Sequence, residues 1–342
     1  MSDNPFEVIE DAEEENRQIE EIATLMRQLL EKRYGSSGKF LRGVHPKSHG
    51  CFNATLEILD GVDEDLRVGL FSKVGAKYEA IVRFSNADSL VRHDLSDGEN
   101  GSRGMAIKVL NVDGEVLNKD AGGSSQDFLM VNTDQFAFAN VADYLKLQKV
   151  LLGFDDSPAA FFAPLQNPPP SDPVELAAFM RVKQSFDVIS LIKKTPVANP
   201  LEVSYFGAAP FLFGNDRVLR VSAAPVVQPD QVVPGDAGEN YLREAIASTM
   251  SKSEDIVFDF KIQVRKADEG DLHIEDATQF WPTQQYKAVA RLTIPAPQTS
   301  QDDCEERFFT PWHSLAAHQP LGGINRLRKA AYIASAKRRA VM

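Results

Sequence analysis

Tyr332 stands between two arginines in a C-terminal stretch that carries no acidic residue. From Arg307 to Met342 there is no Asp or Glu, although the whole chain has a net charge of -12. Arg328 precedes the tyrosine by four residues and Arg339 follows it by seven, so a helix would place all three on one face. Guanidinium groups beside a phenol favour the phenolate, which is a good ligand for ferric iron. The alternative is a basic tail that is solvated or touches an anionic surface.

A second group of reactive side chains lies near the N-terminus. His45 and His49 are four residues apart, but Pro46 and the neighbouring glycines interrupt the helix that a shared zinc site would need. His45 is the better candidate for an acid/base catalyst, because the downstream run Arg83-Phe84-Ser85 supplies a cation, an aromatic wall and a hydroxyl that could orient an imidazole. The alternative for these residues is an ordinary strand with a salt bridge and core packing.

Composition limits the classes of protein that fit. The chain has 342 residues, of which 43% are hydrophobic and 25% charged, as expected of a soluble globular protein. Its acidity argues against general binding to nucleic acid or anionic membranes, and no apolar run predicts a signal peptide or a membrane span. Cys51 and Cys304 belong to no C-x-x-C pattern, so we expect no disulfide scaffold and a reducing, cytoplasmic environment.

The hydrophobic pattern predicts the elements that position these residues. Residues 1–38 form an acidic arm with an amphipathic helix, which would pack on the body or on a sister subunit as a homodimer. Short alternating strands are predicted within 51–131 and again at 218–223, 256–264 and 286–294, with a largely helical insert at about 140–250. This arrangement indicates an α+β fold around an antiparallel sheet or barrel. Gly322 and Gly323 predict a turn and Asn325 a cap for the helix that carries Tyr332.

Six segments, in order along the chain, resemble the catalase family of haem proteins, and specifically its short catalase-related branch. They are RGVHPKSHGCFNATLEI (42–58), IVRFSNA (81–87), RGMAIKV (103–109), QDFLMVN (126–132), IEDATQFWP (274–282) and RLRKAAYIASAKRR (326–339). The resemblance implies a catalase-like antiparallel β-barrel with inserted and flanking helices, in which residues 39–342 form a domain that binds haem b. Resemblance to the short branch also implies that the C-terminal helical region of full-length catalases is lacking.

The resemblance also implies a role for each matching residue. Tyr332 would be the iron ligand and Arg328 would keep it a phenolate. His45 would be the distal catalytic histidine, with Ser85 as its hydrogen-bond partner and Asn132 as the distal asparagine, unless Val131 occupies that position. The remaining cofactor-binding residues would be Arg42, Arg83 and Arg339 at the haem propionates, and Val44 and Phe84 at the haem face.

The activity implied is cleavage of hydrogen peroxide or an organic hydroperoxide at a tyrosinate-ligated ferric haem. A second peroxide would make the protein a catalase, and an organic electron donor a peroxidase. The alternatives are conversion of a lipid hydroperoxide, as in the related allene oxide synthases, haem binding without turnover, and an interaction protein without a cofactor.

Overall fold

The computed structural model describes residues 6–35, 40–95, 98–118, 123–207, 209–266, 273–279, 281 and 285–339. Phe280 and Pro282, which belong to one of the family-like segments, lie outside these ranges. The strands are β1 (Ser48–Ile58), β2 (Lys77–Asn86), β3 (Arg103–Leu110), β4 (Ser125–Val131), β5 (Tyr205–Gly207), β6 (Phe211–Phe213), β7 (Arg217–Pro225), β8 (Ile256–Lys266) and β9 (Lys287–Ile294). The helices are α1 (Ala12–Tyr34), α2 (Val141–Gly153), α3 (Ala159–Phe162), α4 (Pro173–Lys194), α5 (Tyr241–Met250) and α6 (Gly323–Arg339).

Eight strands close into an antiparallel barrel. Their order is β5-β4-β3-β2-β1-β9-β8-β7, and a pairing of β5 with β7 joins the two ends, while β6 pairs with the first residues of β7. Closure leaves no long unpaired strand edge in the part of the chain that the structure describes. The predicted α+β fold built on an antiparallel barrel is confirmed.

Alternation along the strands separates the barrel core from its outer face. On β2, Val82 and Phe84 point inward and are fully buried, whereas Arg83 and Ser85 point outward. Burying such an apolar side chain contributes roughly 1.5–3 kcal/mol, so register is strongly fixed. The register places Ser85 opposite Gly104. Strand β4 continues this outward row, since Val131 pairs with Gly104.

Helices α1, α2 and α6 pack together on the outside of the barrel. The predicted amphipathic helix is α1, which begins with Asp11 accepting a hydrogen bond from the Glu14 amide at 2.9 Å. Its apolar face is buried in a cluster shared with α2 and α6, so the arm packs on its own chain. Arg326 of α6 anchors the arm through ion pairs with Glu7 and Glu15. None of the described helices is long and apolar enough to cross a bilayer.

The segment 140–250 is more mixed than the predicted helical insert. Helices α2, α3 and α4 occupy its first half, but β5, β6, β7 and α5 follow. Strands β5 and β6 have three residues each, too few for an alternating pattern to be recognised from sequence. This segment therefore supplies the strands that close the barrel.

Cys51 and Cys304 form a disulfide, which contradicts the expectation of two isolated thiols. Cys51 lies on the outer face of β1, and Cys304 belongs to the segment that crosses this face before α6. The two residues are 253 positions apart. Because the pairing depends on how the barrel brings distant segments together, spacing along the chain gave no sign of it.

Candidate functional site

His45 is held in an unusual backbone conformation just before β1. Its φ of 58° lies in the left-handed region, which is uncommon for a residue with a side chain. Two hydrogen bonds fix it: its amide donates to Asp88 O at 2.8 Å, and its carbonyl accepts from Arg83 Nη2 at 2.9 Å. Such conformations persist where the surroundings over-determine them, as they do at many active sites.

The imidazole of His45 lies on the outer face of the barrel, against Ser85 and Gly104. Its Nδ1 is 3.0 Å from Ser85 Oγ. The backbone of Gly104 comes so close that a Cβ there would lie 2.5 Å from Nδ1. Burial, with the charges of Arg83, Arg328 and Arg42, lowers the pKa of His45 to about 3. The ring is therefore neutral at physiological pH.

Tyr332 lies in the middle of α6, as predicted, with one of its two arginines beside it. The Arg328 guanidinium carbon is 5.4 Å from the centroid of the Tyr332 ring, and Arg328 Nη1 donates to Asn325 Oδ1 at 3.1 Å. Arg339 instead turns toward the segment before α6. Asn325 is not the helix cap that we expected. Because α6 begins at Gly323, Asn325 sits in the first turn and donates to Pro210 O and Leu321 O at 3.0 Å each.

The fold brings the histidine segment and the tyrosine helix together. The charge of Arg328, on α6, is one of the causes that lower the pKa of His45. A hydrogen bond joins the two segments at one edge, where the Gly43 amide donates to Ser335 Oγ at 3.1 Å. Residues from opposite ends of the chain therefore face one another.

Partly exposed side chains lie where these two segments meet. Val44 and Tyr332 pack against the same apolar cluster, and both are only partly buried. Tyr144 of α2 is also partly exposed. Burial and the neighbouring Tyr332 phenol raise the pKa of Tyr144 to about 12. His45 is likewise partly exposed. We call the region that these side chains border, between α6 and the histidine segment, the cleft.

Three arginines meet at one edge of the cleft around Glu305. Arg42 Nε donates to Glu305 Oε2 at 3.1 Å and Arg83 Nε to Oε1 at 2.9 Å. Arg339 Nη1 donates to the Glu305 carbonyl at 2.6 Å. Arg42 is only 8% exposed and Arg83 only 3%, so the site holds more positive than negative charge away from water. Burial and the other two guanidiniums lower the pKa of Arg42 to about 9.

Of the predicted site residues, Phe84 lies in the barrel core and Asn132 lies just beyond the end of β4. Phe84 does not reach the cleft: strand alternation turns it into the barrel core, where its ring centroid is 6.1 Å from that of Tyr205. Asn132 follows β4, and its Oδ1 accepts from the Arg103 amide at 2.7 Å, which leaves Nδ2 as its donor. Val131 instead pairs with Gly104 on the outer face that carries Ser85.

Sequence reasoning missed three residues of this region. Glu305 gave no signal, because it is one acidic residue within an acidic stretch. Tyr144 resembled an ordinary core residue of an amphipathic helix. Gly104 was part of a recognised segment, but its close approach to His45 depends on strand register.

The residues that border the cleft fit a haem. They supply a phenol beside a guanidinium, a neutral imidazole, apolar walls and a cluster of arginines with excess positive charge. Arg339 Nε is a buried donor with no partner among the described residues. An iron porphyrin with carboxylate side chains would use each of these groups.

A surface hollow lies elsewhere on the molecule. It is lined by the N-terminal segment, the start of α2 and the turn at 273–276, and it includes neither His45 nor Tyr332. Its rim is rich in carboxylates, including Glu10, Asp11 and Glu14. The candidate site is therefore defined by the chemistry of its side chains, and this hollow is separate from it.

The architecture is a catalase-like fold. No protein-family model and no curated protein sequence matches the chain. Several solved structures, in contrast, match the fold of the chain. The fold is similar to that of a fungal catalase, with 16% identity and a TM-score of 0.69 over 91% of this chain and 62% of that one. Catalase A from Saccharomyces cerevisiae is 14% identical with a TM-score of 0.67, covering 90% of this chain and 63% of its own.

A bacterial catalase is also similar, with 17% identity and a TM-score of 0.64 over 91% of this chain and 60% of that one. The chain thus spans less than two thirds of the length of these catalases. At such identities the similarity establishes the shared fold, and the chemistry has to be argued from the side chains.

Proposed function

We propose that this protein binds haem through Tyr332 and consumes peroxides with His45 as the catalytic base. The observation that carries the proposal is that the fold joins the segment of a neutral imidazole, held beside Ser85, to the helix of a phenol that has a guanidinium beside it. The catalase-like fold supports it, because the three solved structures compared above are catalases.

His45 would accept and return the proton of the peroxide. Its low pKa keeps the ring neutral, so a lone pair is available at any pH well above 3. When Nδ1 donates to Ser85 Oγ, Nε2 carries that lone pair. Gly104 and the Ser85 hydroxyl together prevent the ring from tilting. Asn132 Nδ2 would be a second donor near the reacting oxygens.

Tyr332 would hold the iron, with the Arg328 guanidinium carbon 5.4 Å from the centroid of its ring. Arg42, Arg83 and Arg339 would bind the carboxylates of the porphyrin. The haem, when bound, supplies the redox chemistry that cleaves the oxygen–oxygen bond. Val44 would pack against its face.

Haem reconstitution with two tyrosine variants tests the ligand. Tyr332→Phe should bind ferric haem with an altered visible and electron paramagnetic resonance spectrum, because the phenolate ligand is gone. Tyr144→Phe is the matched control, since it removes the other phenol of the same cleft, and its spectrum should stay that of the parent. A spectral change in Tyr144→Phe but not in Tyr332→Phe would show that Tyr144 is the ligand and would overturn the proposal.

Peroxide decay tests the base. His45→Ala should retain haem yet lose peroxide consumption by roughly 10²-fold or more, the size usual for a general base. Side-by-side assays with hydrogen peroxide, a lipid hydroperoxide and a dye donor would identify the substrate. Rapid decay that disappears in His45→Ala would rule out haem binding without turnover, whereas decay no faster than with free haem in both proteins would favour it. Equally rapid decay in both would show that His45 is not the base.

A further inference from the structure

Glu305 contacts all three arginines at the edge of the cleft. Its carboxylate bridges Arg42 and Arg83, with donor–acceptor distances of 3.1 and 2.9 Å. Its backbone carbonyl accepts from Arg339 at 2.6 Å. These arginines come from the segment before β1, from β2 and from the end of α6. Glu305 therefore ties together three parts of the chain that carry like charges.

The charge around Glu305 is unbalanced. Three guanidiniums and one carboxylate leave an excess of two positive charges in a largely buried place. Burial and the neighbouring Arg83 lower the pKa of Arg339 to about 10, against the attraction of Glu305. Although burial acts in the opposite direction, Arg83 and Arg42 hold the pKa of Glu305 below its usual range. A ligand with two negative charges would balance the cluster.

The contacts of Glu305 leave donors for such a ligand. Its carboxylate accepts hydrogen bonds from Nε of Arg42 and Nε of Arg83. The terminal nitrogens of both guanidiniums are therefore not used by Glu305. Some of those are bonded to the protein, because Arg42 Nη2 donates to Arg307 O at 2.9 Å and Arg83 Nη2 to His45 O. Among the described residues, the Nη1 atoms of Arg42 and Arg83 have no acceptor, and Nε of Arg339 is a buried donor without one. Glu305 thus orients the arginines without occupying all their hydrogen-bonding capacity.

We infer that Glu305 is the positioning residue that sets this site for a porphyrin with two free carboxylates. The inference rests on the proposed haem function and extends it to the selection of the cofactor. Glu305 fixes the guanidiniums and reduces their excess charge to two, the value that a porphyrin dicarboxylate neutralises. A porphyrin with esterified carboxylates offers no charge to the arginines and binds more weakly.

Binding of iron-free porphyrins to the full chain tests this inference without Tyr332 or turnover. Fluorescence titrations would compare protoporphyrin IX with its dimethyl ester. The parent should prefer the free acid by about tenfold or more, because each charge-assisted hydrogen bond to a carboxylate is a strong one. Glu305→Gln should reduce that preference at least threefold. Its amide can accept from only one of the two Nε–H groups, and the uncompensated guanidiniums would separate.

Two further variants make the test specific. Glu306→Gln changes the net charge equally on the same segment, but Glu306 is exposed and outside the arginine cluster, so the preference should not change. Glu305→Asp keeps the carboxylate and should retain most of the preference even if Glu305→Gln is poorly folded. Melting temperatures measured alongside would separate loss of folding from loss of selection.

Each result decides the matter. Tighter binding of the free acid by Glu305→Gln would mean that Glu305 competes with the ligand, and an unchanged ratio would mean that it has no part in selection; either overturns the inference while the haem proposal stands. Loss of the preference in Glu305→Asp as well would assign it to side-chain length instead of charge, again against the inference. If the parent binds neither porphyrin, the proposed function fails and the inference fails with it.

Discussion

A Cβ atom on Gly104 would lie 2.5 Å from Nδ1 of His45, closer than real side-chain carbons approach a neighbour. The two residues belong to different segments, and the strand register that pairs Gly104 with Ser85 brings them together. The imidazole is thus confined between a bare backbone and a hydroxyl 3.0 Å away.

Gly104→Ala should therefore displace the His45 ring without removing any polar group. We expect peroxide consumption to fall by about 10²-fold, the cost typical of a 1 Å misplacement of a catalytic group, while haem binding is retained. Gly101→Ala is the control, because its Cβ would meet only the Arg103 side chain, at 3.4 Å. Full activity in Gly104→Ala would show that the ring position does not limit turnover.

The stability of the apo protein should fall in mild acid because three buried histidines resist protonation. Burial lowers the pKa of His45 to about 3 and of His318 to about 4, and it also lowers that of His49. The pKa of an unfolded histidine is about 6.5, so below that pH the unfolded state binds more protons. The free energy of unfolding then decreases as pH falls from about 6.5 toward 3, by up to roughly 1.4 kcal/mol per pH unit for each histidine.

Urea denaturation between pH 7 and 4 would measure this slope, and one variant isolates a single histidine. His318 Nε2 accepts from the Leu70 amide at 3.1 Å, which a protonated ring could not do. His318→Gln should be less stable than the parent at pH 7 but lose stability less steeply in acid. If the free energy of unfolding depended on pH equally in the two proteins, protonation of His318 would not contribute to the loss of stability in acid.

Reduction of the Cys51–Cys304 disulfide should destabilise the protein. The bond closes a loop between residues 253 positions apart, and chain-entropy estimates for loops of at least 100 residues are about 5 kcal/mol, with smaller values often measured. We expect Cys51→Ser/Cys304→Ser to lower the melting temperature under oxidising conditions. When reductant is added, the melting temperature of the parent should fall to that of the variant. A parent whose melting temperature does not change with reductant would mean that the thiols are not paired in solution.

Helix α1 should be required for the haem cleft to form. Leu30 is fully buried in the cluster that also contains Val44 and Tyr332. Leu30→Ala should cost about 2–5 kcal/mol of unfolding free energy and weaken haem retention. Gln28→Ala, at an exposed position of the same helix, should change neither. Unchanged haem retention in a destabilised Leu30→Ala protein would separate α1 from the cleft.

Local patterns were sufficient for much of the architecture. Apolar strand patterns predicted the strands that became β1 to β4 and β7 to β9, because each has one face in the core. Helical spacing predicted α1 and placed Tyr332 on α6. Short strands without a period, such as β5 and β6, could not be predicted, because their formation depends on neighbours that are distant in sequence.

The sequence by itself determined which chemistry this chain can carry: a tyrosine with arginines at helical spacing, a histidine in a turn, and an arginine and a serine on one face of a strand. Residue types and their spacing along the chain are local properties, so they can be recognised from the sequence alone. Only the tertiary structure decided that Phe84 faces the barrel core, that Gly104 supports His45, that Cys51 meets Cys304, and that Glu305 joins three arginines. Those relationships depend on strand register and on contacts across hundreds of residues, which form only when the barrel closes.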